Sequence, residues 1–347
     1  MFNPAFQIAS PPLRMGLVGF ADERHLCNLL GTRTRLRWVS SPAAEADALW
    51  VNGEHAQPLR NHMVRVLSAK AGAPATILNL KEISRPVAFT YPLGNGYFSP
   101  PNVFDPQSAE SVADILRTFE AQLQRLCVEL ALGREIAARR YELRSPAFHL
   151  SLRGKLVGVV NISGELGLSP HLMALDMTEV RWSGRPAAAC VIPPEFRLTS
   201  MAHVMWQYVG RSDENLLPSR YGKGLIYYRR MPQVSARMIR DSHLVLISEL
   251  SAMPQSLEQL QASTGMGQKQ VSETLAALYF AGSITTDPRR AAQGKPWTRP
   301  ADGPASDLNS SVPAEDPILV RPSHRRRGGG APDTVPLPAL LQAQYDE

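Results

Sequence analysis

Residues 256–286 read SLEQLQASTGMGQKQVSETLAALYFAGSITT. Ser256 caps a short helix that carries Leu257 and Leu260. A turn at Thr264-Gly265-Met266-Gly267 comes next, then a helix with Val271, Leu275, Leu278 and Tyr279 on one face. It closes on Phe280-Ala281-Gly282-Ser283-Ile284-Thr285-Thr286, a glycine and then a β-prone run. Just upstream, residues 238–250 are apolar at Ile239, Leu244, Ile247 and Leu250, which predicts a further helix. This spacing sets the C-terminal fold: three helices, the last two joined by a tight glycine turn, and then a strand.

Toward the N-terminus, residues 148–152, 156–162 and 165–168 are strand-like, and Pro186, Pro193 and Pro194 interrupt the next stretch. A helix around 201–209 then carries Met205 and Trp206. Before the strands, Asp105-Pro106 opens a helical stretch to about Tyr141, with Asp as cap and Pro at the first position. Val112, Ile115, Leu116, Phe119, Leu123, Leu126, Cys127 and Leu130 recur at three- and four-residue spacing. This stretch is either a connector packed on a sheet or a linker helix that pairs two chains into a homodimer.

Residues 14–93 alternate apolar runs with helical stretches. Strands are predicted at 15–20, 35–39, 48–51, 76–78 and 87–90, and helices at 23–30 and 57–71, the pattern of a doubly wound parallel sheet. The link from Leu80 to Pro86 is too short for a crossover helix, so one helix is missing or the last strand pairs differently. At the other end, ten of the 29 prolines and the Gly328-Gly329-Gly330 run come after Asp287, which predicts a disordered tail with a brief docking helix at 337–341 as an alternative.

Composition narrows the class. An apolar share of 44% and a charged share of 20% suit several globular units within 347 residues. Cys27, Cys127 and Cys190 are far apart, without the spacing of a zinc site or a disulfide framework. No secretory leader and no ~20-residue apolar span is legible, so the expectation is a cytoplasmic protein with no membrane partner. The net charge of +6 concentrates at residues 33–37, 134–155, 227–230 and 325–327. No GxGxxG, P-loop, HExxH or GxSxG pattern occurs, so neither an enzyme nor a cofactor is expected. His149, His203 and His243 lie in apolar runs and read as structural.

Three resemblances add to this. Asp22 and Glu23 after the first strand, and Asn52 closing Asp47-Ala48-Leu49-Trp50-Val51-Asn52, resemble the acidic pair and phosphoacceptor position of response-regulator receiver domains. Tyr91-Pro92 falls where that family has Lys-Pro. The likeness implies a receiver that cannot be phosphorylated, because an amide forms no acyl phosphate, and that serves for protein contacts. The alternative is an unrelated small α/β unit with Asp22 and Glu23 solvated.

Arg140 and Arg144, four apart, followed by Asn161 and Ser163, resemble the cyclic di-GMP signature of PilZ domains, in which paired arginines grip phosphates. The signature's glycine is displaced here to Gly167. The alternative is a solvated helix end and an ordinary strand–turn–strand.

Residues 236–287 resemble a winged helix-turn-helix module, which implies DNA contact through Gln268, Lys269, Gln270 and Ser272, with Arg289 and Arg290 on the wing. Between Val234 and Arg290, however, five basic residues face five acidic ones, and a neutral module suits protein contacts.

The expectation is multidomain α/β plus α+β. It comprises a receiver-like doubly wound sheet (1–104), a linker helix (105–145), a β-containing basic region (146–232), a winged-helix module (233–287) and a disordered tail (288–347). The expected function is non-enzymatic regulation through a protein partner, with cyclic di-GMP sensing and sequence-specific DNA binding as alternatives.

Overall fold

The computed structural model describes residues 11–21, 23–30, 36–69, 72–93, 99–162 and 164–292. Asp22, Ser163, the basic positions Arg33 and Arg35, and the tail from residue 293, including 325–327 and 337–341, lie outside the described residues.

The first segment forms β1 (Leu13–Val18), α1 (Arg24–Leu30), β2 (Trp38–Ser41), β3 (Ala48–Val51), β4 (Ala56–Pro58), β5 (Met63–Val66), β6 (Thr76–Asn79), β7 (Val87–Thr90) and β8 (Val103–Phe104). Five of these pair in parallel in the order β2-β1-β3-β7-β8. By position in the sheet that is 2-1-3-4-5, an order of open doubly wound sheets. Every residue of β3 is buried, as a parallel strand covered on both faces requires. Ala48 and Trp50 point into one core with Trp38 and Phe104, while Leu49 and Val51 point into another with Val87 and Phe89.

Covering that second face overturns two expectations. Of the helix expected at 57–71, the described residues 57–69 are not helical, and 76–78 is not a parallel strand; β4, β5 and β6 form an antiparallel sheet of their own. Asn61 and His62 both take φ near +60°, and Met63 N–H donates to the Arg60 carbonyl, a primed hairpin turn. Val64, Val66 and Leu78 then pack on Leu49, Val51 and Phe89 where a helix was expected. Tyr91-Pro92 accordingly comes after the fourth parallel strand, and Asp105-Pro106 after the fifth.

The helical stretch is two helices, α2 (Ala109–Gln122) and α3 (Gln124–Ala138), broken at Leu123. The cap is Ser108, whose hydroxyl accepts from Ser111 N–H, and Asp105 instead accepts from Gln107 N–H in the turn before it. α2 is amphipathic and lays Val112, Ile115, Leu116 and Phe119 on the sheet. α3 is buried on most sides, including Cys127, Leu130, Leu132 and Ile136, so the apolar residues assigned to dimer pairing lie inside the chain's own core.

The middle segment is a five-stranded antiparallel sheet, β12-β9-β10-β11-β13. Its strands are β9 (Ala147–Leu152), β10 (Lys155–Asn161), β11 (Glu165–Leu168), β12 (Arg181–Arg185) and β13 (Arg197–Ser200). Ser200 caps α4 (Met201–Val209), which lies along α3 where Gly133 lets Tyr208 approach. After β14 (Tyr227–Tyr228) come α5 (Asp241–Ala252), α6 (Leu257–Thr264), α7 (Gln268–Phe280) and β15 (Ile284–Thr285). Ser256 and Gln259 make a capping box, and Gly265 at φ +69° ends α6 in the left-handed region. One buried cluster runs from Leu13 through α2, α3, the middle sheet and α4 to Ile284.

Candidate functional site

In an open sheet of this order, ligands bind beyond the carboxyl ends of the strands where the order reverses, here between β1 and β3. Gly19 comes just after β1 at φ +83°, and Asn52 just after β3. Asn52 Nδ2 donates to the Gly19 carbonyl (3.2 Å), and His55 Nδ1–H reaches the same oxygen at 2.9 Å. Asn52 Oδ1 accepts from Glu54 N–H. Gly53 N–H donates to Thr90 Oγ1, and a Cβ at Gly53 would lie 1.9 Å from the Thr90 carbonyl oxygen. Val66 and the Leu67 carbonyl close over Gly19. Asn52 is therefore a clip between two strand ends in a crevice filled by the chain itself. Glu23 is exposed at the margin.

The PilZ-like residues sit at one end of the middle sheet. Register places Asn161 opposite Ala147, and Ala147 opposite Arg185, while Ile162 N–H donates to the Pro146 carbonyl. The two halves of the motif are thus adjacent, with Arg185 on the neighbouring strand as a further cation that the motif reading did not include. Arg144 is exposed. Arg140 folds back, donating to the Ala137 carbonyl (2.7 Å) with its guanidinium 4.7 Å from the Tyr141 ring centre. Gly167 lies within β11, where a Cβ would meet Ile192 Cγ2 at 2.2 Å; the glycine makes room for the loop that covers the sheet.

In the C-terminal module, α7 is open mainly at its first turn. Gln268, Lys269 and Gln270 are exposed and Ser272 is half-buried, whereas Thr274–Phe280 is buried against the other elements. Lys269 Nζ lies 3.4 Å from Asp213 and 3.7 Å from Glu273. Residues 288–292, assigned to the disordered tail, are ordered. Asp287 caps a turn over Pro288–Arg290 and pairs with Arg290 at 3.4 Å, and Ala292 N–H donates to the Tyr228 carbonyl. β15 pairs with β14, a strand N-terminal to the three helices.

That strand, absent from the expected module, borders a groove in it. A groove of about 710 Å³ runs between β14 and α5, lined by Tyr227, Tyr228, Met231, Leu244, Ile247 and Met253. Leu244, expected on the buried face of α5, is 47% exposed here; His243, Leu246, Ile247 and Leu250 take the buried face. Met231 is 50% and Met253 58% exposed. The tandem tyrosines were the one sequence signal for the strand.

The buried ionisable groups tie elements together. Burial alone would raise Glu129, but hydrogen bonds from His203 and Arg125 hold its carboxyl below the usual range. His243 is stacked on Trp206 and accepts from Arg240 N–H; burial and the Arg240 charge push it down to about 4. His149 meets the Ala189 carbonyl at 3.0 Å. Among the described residues no group of His, Cys, Asp and Glu is placed to hold a metal ion, and no helix is long and apolar enough to cross a membrane. No family model, curated protein or solved structure matches the chain.

Proposed function

We propose that the chain is a non-catalytic regulatory protein that acts by presenting contact surfaces, with the β14–α5 groove as its protein-binding site. The groove carries this reading: Leu244, Met231 and Met253 expose apolar surface side by side, a pattern that marks interaction sites. The filled crevice at Asn52 supports a receiver-like unit used as a scaffold, in which neither phosphorylation nor a ligand operates. The burial of α7 beyond its first turn supports contact through the groove rather than through a recognition helix. Photocrosslinkers placed in living cells at Leu244 and Met253, and at Thr76 on β6 as a control, test it. A discrete adduct at both groove positions, with the Met253 adduct lost when Leu244→Glu is added, supports the reading. Equal labelling at Thr76, or none in the groove, overturns it.

A second reading has one observation in its favour. The row Asn161–Ala147–Arg185 beside Arg144 suits an anionic nucleotide, and cyclic di-GMP is the ligand implied by the motif. Calorimetric titration with that nucleotide tests it; no heat with wild-type protein, or unchanged heat with Arg144→Ala, dismisses it.

A further inference from the structure

The neutral charge balance of the C-terminal helices depends on where the module is taken to begin. Strand β14 belongs to it, because Tyr227 and Tyr228 pair with Thr285 and Ile284, and Ile226 bridges to Gln255. The segment that delivers this strand is strongly one-sided: from Asn215 to Gln233, just before the helices, there are four basic residues and no acidic one. Completing the sheet therefore turns a neutral module into a basic one.

The added charge is gathered in space. Arg229 N–H donates to the Ser283 carbonyl, and the Arg230 guanidinium lies over Gly282, where a Cβ would stand 3.0 Å from Nη2. The hydrogen bond from Ala292 to Tyr228 brings the Arg289-Arg290 turn alongside the same strand. Burial and the neighbouring cations Arg230 and Arg290 push the Arg229 guanidinium below its usual range, so these side chains feel one another. Arg220 stacks on the buried rings of Tyr221 and Tyr279, and Tyr221 in turn feels Arg229. Arg230 and Arg289 are exposed. Among the described residues no carboxylate pairs with Arg229 or Arg230; the acid at this edge is Asp287, engaged with Arg290.

We propose that this β14–β15 edge binds the phosphate backbone of duplex nucleic acid, with Arg229 and Arg230 as the principal contacts and Arg289 beside them. Arginine outnumbers lysine here, and its planar fork matches phosphate oxygens. A duplex presents one negative charge per about 1.7 Å of axis, so an array of unneutralised guanidinium groups gains from releasing condensed counterions. The first turn of α7 is not part of this site; its Lys269 lies beside the carboxylates of Asp213 and Glu273. The basic edge is also a different surface chemistry from the apolar groove, so its failure leaves the protein-contact reading standing.

The test is binding of full-length protein to a random-sequence DNA duplex across a salt series, with polyglutamate of matched charge as the comparison. Wild-type protein is expected to bind the duplex with a steep salt dependence. Arg229→Ala with Arg230→Ala is expected to lower the log–log slope by about 2, one unit per lost phosphate contact. Gln268→Ala with Lys269→Ala is expected to leave the slope unchanged. If the double alanine variant does not fold, the single changes Arg229→Gln and Arg230→Gln carry the same reading, each expected to lower the slope by about 1. Absent duplex binding at low salt, an unchanged slope in the Arg229 and Arg230 variants, loss through the α7 variant instead, or tighter binding to polyglutamate would each overturn the proposal.

Discussion

Arg211, just past α4, reaches 164 positions back to Asp47 at the entrance of β3, placing Nη2 2.5 Å from Oδ1 with both side chains nearly buried. The other carboxylate oxygen accepts from Arg14 N–H on β1, and Arg14 Nη2 donates to the Gly210 carbonyl at 2.6 Å. The parallel sheet and the helices behind it are thereby latched at one point. Arg240 before α5 adds a looser tie to Glu45 at 3.3 Å.

Removing one partner of such a pair leaves a buried charge. Asp47→Ala and Arg211→Ala are each expected to lose about 3–5 kcal/mol in chemical denaturation. The double variant is expected to lose clearly less than the two together, which a double-mutant cycle reads as coupling. Strict additivity would mean the latch carries no stability.

Stability is expected to change with pH in two separate windows. His243 in the folded chain is held near 4, below its ordinary 6.5, so the unfolded chain takes up the proton first. Stability from this residue is complete above about 6.5 and falls as the pH drops toward 4. Glu129, also lowered, contributes above its ordinary 4.5 and loses that contribution only below it. Denaturation midpoints between pH 7 and about 4 should flatten in His243→Gln, while the loss below 4.5 persists.

Gly133 lies mid-helix in α3, where alanine ordinarily adds about 1 kcal/mol. A Cβ there would sit 2.6 Å from Tyr208 Cβ. Gly133→Ala is therefore expected to destabilise by about 1–3 kcal/mol through forcing α3 and α4 apart. A raised melting temperature would show that the two helices adjust freely.

The three thiols should react at different rates. Burial pushes Cys127 up to about 12, and thiolate is the reactive form. In native protein treated with iodoacetamide at mildly alkaline pH, peptide mapping should find Cys127 the last labelled, and unfolding should abolish its protection.

Much of the site was illegible in sequence for identifiable reasons. Residues 57–66 carry apolar groups at Met63, Val64 and Val66 that fit either a helix or a hairpin. The uncovered face of Leu49, Val51 and Phe89 selected the hairpin. Leu244 has helical spacing like its neighbours, yet α5 turns it toward the groove because His243 stacks on Trp206 and takes the inner place. β14 is two residues long and separated from its partner by three helices, so no local pattern could join Tyr227 to Thr285.

What the sequence alone determined is local. Short apolar runs made β1 and β3, Ser256 capped α6, and Gly265 supplied the left-handed turn before α7. These features rest on backbone sterics and nearest hydrogen-bond partners, which a few adjacent residues settle. The filled crevice at Asn52, the latch between Asp47 and Arg211, and the basic edge at Arg229 and Arg230 were decided only by tertiary structure. Each joins residues between 33 and 164 positions apart, and burial of shared apolar surface chose which of them met.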